Sequence, residues 1–412
     1  MPAPIKSNRS TFLVCIIFVI FFVISLLTNI VGPLVPAIIQ TFQLNLTMAA
    51  FLPFSFFCAY AVMSIPAGIV IERWGEKPVL VGAFALALAG SLLFAFFPYY
   101  HSAICSLFLI GLGMAALQVA INPLLRVTGG EEHFAFNGMI VQLVFGSASF
   151  LSPLLYRFFV SDLAGRSSGF WSRFIPPDRT WIVMYWFFSA VALAMVLLLV
   201  LLRIPRVERN EDEKVGAWET HRELLARPTV WLFFVAVFAY VGLEQGLSNW
   251  MSQFLFSQHG FDPQTDGATA VSRFWGVAIL GCAIGLFLLK FFDSRRVLLG
   301  FSALAFFTLG AALFGNAQVS LLAFPATGFA ISVMWSIIFS LALNSLAHHH
   351  GTFSGILCTG IVGGAVVPLL IGSIGDHFSL RTGLCFLYLP LAYIFSIGIW
   401  AKPLVTNKTF GS

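Results

Sequence analysis

The sequence predicts an all-α polytopic membrane protein whose twelve transmembrane helices form two pseudo-symmetric six-helix bundles. Three observations predict it. Of 412 residues, 59% are hydrophobic and only 9% charged, with 46 phenylalanines and a mean hydropathy of +0.93, far outside the composition of a soluble globular domain. Apolar runs recur along the whole chain, each near the ~20 residues that cross a hydrocarbon core of about 30 Å at about 1.5 Å rise per residue; a membrane barrel would show short alternating segments instead. One long polar stretch, residues 203–228, divides the runs six and six.

The first run, 11–39, follows a short arm carrying Lys6 and Arg9. It contains Pro33 and Pro36 and no small-residue cleavage site, so it is expected to remain as an uncleaved helix. Runs at 47–71, 78–98, 101–126, 134–160 and 181–202 complete the first half. The stretch "RIPRVERNEDEKVGAWETHRELLARP" (203–228) mixes both charge signs, as a solvated linker does. The second half has runs at 229–257, 268–291, 297–316, 318–346, 352–374 and 380–401. The predicted domains are an N-terminal bundle (1–202), a cytoplasmic linker (203–228) and a C-terminal bundle (229–412).

An even number of runs puts both termini on one side. That side carries Lys6, Arg9, Arg73, Lys77, Arg126, the basic residues of the linker, Lys290, Arg295, Arg296, Lys402 and Lys408. The opposite side carries Arg157, Arg166, Arg173, Arg179 and Arg381. The positive-inside rule then places both termini in the cytoplasm of a cell inner membrane. The net charge of +5 reports this topology, so the expected partners are the lipid bilayer and a small-molecule solute, with no nucleic acid, and the chain is expected to act as a monomer. Cys15, Cys58, Cys105, Cys282, Cys358 and Cys385 all fall inside apolar runs at scattered spacings, which argues for packing residues rather than disulfides or metal ligands. "HHH" (348–350) lacks a nearby acid or cysteine to complete a metal site, and consecutive histidines on a helix do not converge on one ion. No metal and no cofactor are expected beyond a coupling cation, H+ or Na+. "NLT" at Asn45 is a glycosylation acceptor only in a eukaryotic secretory pathway.

The two halves resemble each other. "AINPLLRVTGGEEHFAFNG" from Ala120 has a counterpart in "ALNSLAHHHGTFSG" from Ala342, with Asn122 and Asn344, Gly138 and Gly355, and Pro153 and Pro368 in corresponding order. Parallel six-plus-six repeats are the plan of one transporter architecture, with the solute near the midplane between halves that rock about it. "GIVIERWGEKP" from Gly68 lies in the loop after run two and fits G-x-x-x-[DE]-R-x-G-x-[KR]. Gly68 allows close helix approach, Glu72 and Arg73 supply interface charges, Gly75 turns a short loop and Lys77 completes the pattern. The chain thereby resembles the major facilitator superfamily. "LQVAINPLL" (117–125), "YVGLEQG" (240–246), "SRFWGVAILG" (272–281) and "IVGGAVVPLLIGSIGD" (361–376) are further similar to its fucose-galactose-hexose symporter family. The resemblance implies a sugar or similar small polar solute driven by a proton or sodium gradient. It also implies acids in helix 1 and in the helix 4 motif; this sequence has Gly32 and Gln118 there, Cys282 where relatives often carry arginine, and apolar Ile140 and Leu143 in helix 5. The apolar positions leave room for an alternative, an exporter of amphipathic compounds.

Glu244 is the only acid placed well inside a run, and a carboxylate there costs about 2.5–3.5 kcal/mol on insertion scales, so a coupling or gating role is the default expectation. Counted from residue 229 across a core of about 30 Å, Glu244 lies ~8 Å short of the outer face, and Arg273, counted from residue 268, lies ~7–8 Å from it, which predicts that the two can pair as a gate. An unpaired Glu244 would instead be a natural carrier of a proton or sodium ion. Polar side chains in these runs must point into a cavity or at another helix, because lipid offers no partners. The candidate solute-binding residues are Asn29, Gln118, Asn122, Gln245 and Asn249, whose amides suit hydroxyls, and Trp335, whose face suits the apolar side of a sugar ring. No phosphate loop, H-E-x-x-H or G-x-S-x-G occurs, which argues against an ATP-driven pump and against an enzyme.

Overall fold

A computed structural model describes residues 11–129, 134–164, 177–202, 204, 218–346 and 350–402. Twelve of its helices are long and apolar enough to span a membrane. In the first half these are α1 (Thr11–Phe42), α2 (Leu46–Trp74), α3 (Glu76–Phe96), α4 (Tyr100–Gly129), α5 (Phe134–Ala164) and α6 (Val183–Leu201). In the second they are α7 (Pro228–His259), α8 (Ala268–Leu288), α9 (Ser294–Phe314), α10 (Ala317–Leu343), α11 (Thr352–His377) and α12 (Leu380–Trp400). All twelve predicted runs appear as helices. Most of the predicted linker lies outside the described residues, which resume with a short helix, Trp218–Leu225.

The packing repeats with a period of six helices. In the first half α4 packs on α2 and α3, α3 on α6, and α1 on α5. In the second α10 packs on α8 and α9, α9 on α12, and α7 on α11. The halves meet along α2 with α11, α5 with α8, and α1 with α7. Outward faces carry large exposed apolar side chains such as Phe307, Leu322 and Ile399, as contact with lipid tails requires. The cysteines partly depart from expectation. All six are free, but Cys15 and Cys105 are exposed on helix surfaces and the other four are only half-buried. The described residues contain no cluster of three metal-ligating side chains, and residues 348 and 349 of the histidine run lie outside them.

Several helices are broken, and proline chemistry explains the first break. α1 consists of Thr11–Thr28 and Val31–Phe42. Pro33 has no N–H to give the carbonyl of Asn29, nor Pro36 to give that of Gly32, so the ladder lapses there. α10 breaks at Ser332–Val333, and α11 passes through a 3₁₀ turn, Gly360–Val362. Non-helical backbone at membrane depth is tolerated only where protein or a cavity covers it, which makes these breaks pointers to a site.

The loop after α2 is a single residue. Gly75 ends α2 and begins α3 with φ of 82°, a conformation that glycine adopts freely. Lys77 Nζ then donates to the Val200 carbonyl at 2.9 Å, capping the end of α6. Gly68 is buried, Arg73 is exposed, and the Glu72 side chain lies outside the described set.

Candidate functional site

Helix α7, Pro228–His259, closely matches the predicted run 229–257. Glu244 is 16 residues from Pro228 and 15 from His259, about 24 Å and 22 Å along the axis, so it sits at mid-depth. Its Oε1 accepts the Tyr240 hydroxyl proton at 2.6 Å, one helical turn away. The Tyr240 ring is tilted against Trp335 with centroids 5.9 Å apart, and Trp335 stacks on Phe339 at 5.4 Å. From α8, the Cys282 thiol donates to the Ser332 carbonyl at 3.2 Å, at the break in α10, within electrostatic reach of Glu244. A carboxylate, a phenol, a thiol and an indole from three helices of the second half thus converge beside a helix break. Glu244 and Trp335 are only half-buried.

The expected Glu244–Arg273 pair is not formed. Arg273 is exposed on α8, five residues from the Ala268 end and so about 8 Å from that end, whereas Glu244 is about 22 Å from the same end of α7. The expected match in depth assumed that α7 stopped at the edge of a ~30 Å hydrocarbon core, but the helix continues to His259. The partners of Glu244 lie on its own helix: the Tyr240 hydroxyl and the Gln245 side chain.

Of the predicted amides, Gln245 adjoins this cluster, its side chain reaching the Glu244 carboxyl, while Asn29 is held elsewhere. Asn29 Nδ2 donates to Ser149 Oγ on α5 at 2.9 Å, and Ser25 Oγ lies 2.7 Å from the same hydroxyl. This joins the broken segment of α1 to α5, while Asn29 Oδ1 is buried without a partner. Gln245 and Asn249 are buried at helix contacts: a methyl built on Gly364 would come 3.1 Å from Gln245 Cγ and 3.1 Å from the Phe57 ring of α2, and one built on Gly32 would come 3.3 Å from Asn249 Cα. Gln118 on α4 is half-buried, and the Asn122 side chain lies outside the described residues. Sequence reasoning missed Tyr240 and Cys282 as members of the site. The i, i+4 spacing of Tyr240 and Glu244 was the available signal.

The end of the molecule away from the termini is closed. The Asp376 carboxylate, at the end of α11, accepts from the Leu46 and Thr47 backbone amides at 2.8 and 2.7 Å and from the Thr47 hydroxyl at 2.5 Å. Ser272 Oγ on α8 donates to the Phe150 carbonyl on α5 at 2.8 Å, and Arg157 Nη1 donates to Thr269 Oγ1 at 3.1 Å. Glycines let the backbones meet: a Cβ on Gly32 of α1 would lie 2.3 Å from the Ser248 carbonyl oxygen of α7, and one on Gly372 of α11 would lie 2.7 Å from that of Leu46.

Residues 17–368 match the family model described as Major Facilitator Superfamily. The chain is 29% identical over 403 residues to a protein named glucose/galactose transporter of Brucella abortus, covering 92% of each. It is 26% identical over 381 residues to the L-fucose-proton symporter of Escherichia coli, covering 87% of this chain and 85% of that one. Among solved structures it superposes on FucP in the outward conformation with a TM-score of 0.68 at 22% identity, covering 96% of this chain and all of that one. It superposes on a bacterial homolog of the human lysosomal transporter Spinster, inward-facing and unoccupied, with a TM-score of 0.76 at 16% identity, covering 94% and 97%. At these identities the two structures speak to the fold alone.

Proposed function

This chain belongs to the Major Facilitator Superfamily, and from that premise we propose that it is a secondary active transporter moving a sugar or similar small polar solute by alternating access, in symport with a proton or sodium ion. The observation that carries the reading is Glu244: a mid-depth carboxyl, held by the Tyr240 hydroxyl rather than by a basic side chain, next to the half-buried indole of Trp335. A carboxyl in that setting is kept at a cost in folding free energy and repays it by binding a cation that enters with the solute. Trp335 offers the apolar face that a pyranose needs. Relatives named as glucose/galactose and fucose-proton transporters align over most of the chain, which favours sugar uptake over export of amphipathic compounds.

In this reading the basic residues on the terminal side place both termini in the cytoplasm of a cell inner membrane, and the chain works as a monomer without a resident cofactor. The closed end then faces outward, and the conformation is the inward-facing one. Residues 1–202 and 229–412 move as bodies about the 203–228 linker, with Gly68, Glu72, Arg73, Gly75 and Lys77 forming the switch loop on the cytoplasmic side. Asn249 lies at a contact between α1 and α7 that parts when the outer end opens, so its amide becomes available to an entering solute; Gln245, Gln118, Asn122 and Asn29 are the further candidates for solute contacts. Arg273, exposed near the outer end, acts in this scheme at most on the gate.

Uptake into proteoliposomes, across a panel of neutral hexoses and deoxyhexoses with imposed proton or sodium gradients, tests the proposal. Gradient-driven accumulation of at least one sugar is expected. Glu244→Gln should retain sugar counterflow and lose accumulation; a Glu244→Gln protein that concentrates sugar as the wild type does would remove the coupling role.

A further inference from the structure

Tyr240 bonds to one functional group and touches another. Its hydroxyl donates to Glu244 Oε1 at 2.6 Å, and its ring lies 5.9 Å from that of Trp335 at an interplanar angle of 47°. It is 5% exposed, so its ring is fixed by packing while Trp335, half-buried, still offers a surface. The groups that face the pair are few. On α7 itself the neighbouring Gln245 side chain reaches the same carboxyl. α8 brings the Cys282 thiol, and α10 brings Trp335 and the Ser332 carbonyl that holds the thiol, neither of them titratable.

A phenol has one proton to donate and lone pairs to accept with. When Glu244 is ionised it can only accept, and the phenolic proton of Tyr240 is committed to Oε1, as the 2.6 Å bond records. When Glu244 takes up a proton from the aqueous phase, the carboxyl O–H can donate to the phenol oxygen. The phenolic proton is then released from Oε1 and can turn toward a hydroxyl of a solute resting against Trp335. The one bond formed is the carboxyl O–H, its proton taken from the aqueous phase, and one hydrogen bond reverses.

We propose that Tyr240 is the positioning residue that links cation binding to solute binding, offering its phenolic proton to the sugar only when Glu244 is occupied by a proton. The proposal rests on the symport reading above and commits that reading to the proton as coupling ion. A purely structural Tyr240 would satisfy the same carboxylate and fill the same space, so the test must separate the hydroxyl from the ring.

The full-length protein in proteoliposomes is assayed by counterflow of the sugar identified in the uptake panel, as a function of pH, for wild type, Tyr240→Phe, Glu244→Gln and the double variant. In the wild type KM is expected to fall as pH falls. Tyr240→Phe keeps the ring against Trp335 and should raise KM at low pH by about three- to tenfold, the scale of one lost hydrogen bond, and flatten its pH dependence. Glu244→Gln stands in for the protonated carboxyl and should hold KM low at every pH; adding Tyr240→Phe should then raise KM by the same factor of about three to ten, since the hydroxyl bonds the sugar directly. A Tyr240→Phe protein with the wild-type KM profile, or a double variant whose KM equals that of Glu244→Gln, would overturn the proposal. So would wild-type accumulation driven by sodium and indifferent to a proton gradient, an outcome that leaves the transport reading standing. No sugar uptake by the wild type would instead overturn the transport reading, and this inference with it. Monodispersity of each variant in detergent and its retained counterflow establish folding.

Discussion

Removing the Asp376 carboxylate should open the end of the molecule away from the termini. The first amides of a helix have no intrahelical acceptor, and α2 solves this in two ways. Asn45 Oδ1 accepts from Met48 N at 2.7 Å, whereas Leu46 N and Thr47 N are satisfied across the interface by Asp376. The carboxylate also faces the positive end of the α2 dipole. Separating the halves trades these bonds for water. Charge-assisted bonds contribute about 1.5–3 kcal/mol each when enclosed, but Asp376 is exposed, and screening brings the set down to the about 1–2 kcal/mol typical of a helix cap. Every 1.4 kcal/mol is tenfold in an equilibrium, so Asp376→Ala should shift the ratio of far-end-open to far-end-closed molecules by about five- to thirtyfold. Spin labels replacing Tyr99 and Asp266, exposed positions in opposite halves, would report the separation in lipid nanodiscs, in a background with native cysteines replaced. Asp376→Asn, which keeps an acceptor but loses the charge, should fall between. Identical distance distributions in all three proteins would refute the reasoning, because the closed end would then owe nothing to this contact.

Gly32→Val should abolish uptake while leaving a folded, inserted protein, because even its Cβ would lie 2.3 Å from the Ser248 carbonyl oxygen and hold α1 off α7; normal uptake rates in proteoliposomes would contradict this. Gly363→Ala places a methyl 2.0 Å from the Phe238 carbonyl oxygen inside the second half, an overpacking of about 1–3 kcal/mol, so the thermal midpoint in detergent should drop. Gly300→Ala, with open space around it, should leave that midpoint unchanged. Arg273→Ala should leave gradient-driven accumulation within about twofold of wild type, a change well under the tenfold that 1.4 kcal/mol represents, since Arg273 is exposed and about 15 Å from Glu244 in depth; loss of coupling would reinstate an ion-pair gate.

Hydropathy reads the number and order of the helices because each span must be apolar over about 30 Å whatever it packs against. It does not read what happens within a span. The run at 11–39 looks continuous, yet Pro33 and Pro36 leave α1 broken at Asn29–Ile30, and the break survives because α5 supplies Ser149 to the Asn29 amide from 120 positions away. Such a partner is invisible to any local pattern, which is why the sequence reading favours cavity lining for Asn29, Gln245 and Asn249 and leaves helix contact as the alternative. The block "IVGGAVVPLLIGSIGD" is legible only as a resemblance. In three dimensions its residues have separate tasks: Gly363 admits the backbone of α7, Gly372 admits that of α2, and Asp376 caps α2. The Glu244–Arg273 expectation failed because depth was measured from residue 229 across a core of about 30 Å, although the run 229–257 is longer than such a core requires and the helix extends to His259. The i, i+4 relation of Tyr240 to Glu244 depends on nothing but helical geometry. It was therefore the one part of the site that the sequence could specify, and the structure places the carboxyl's hydrogen bond on that relation.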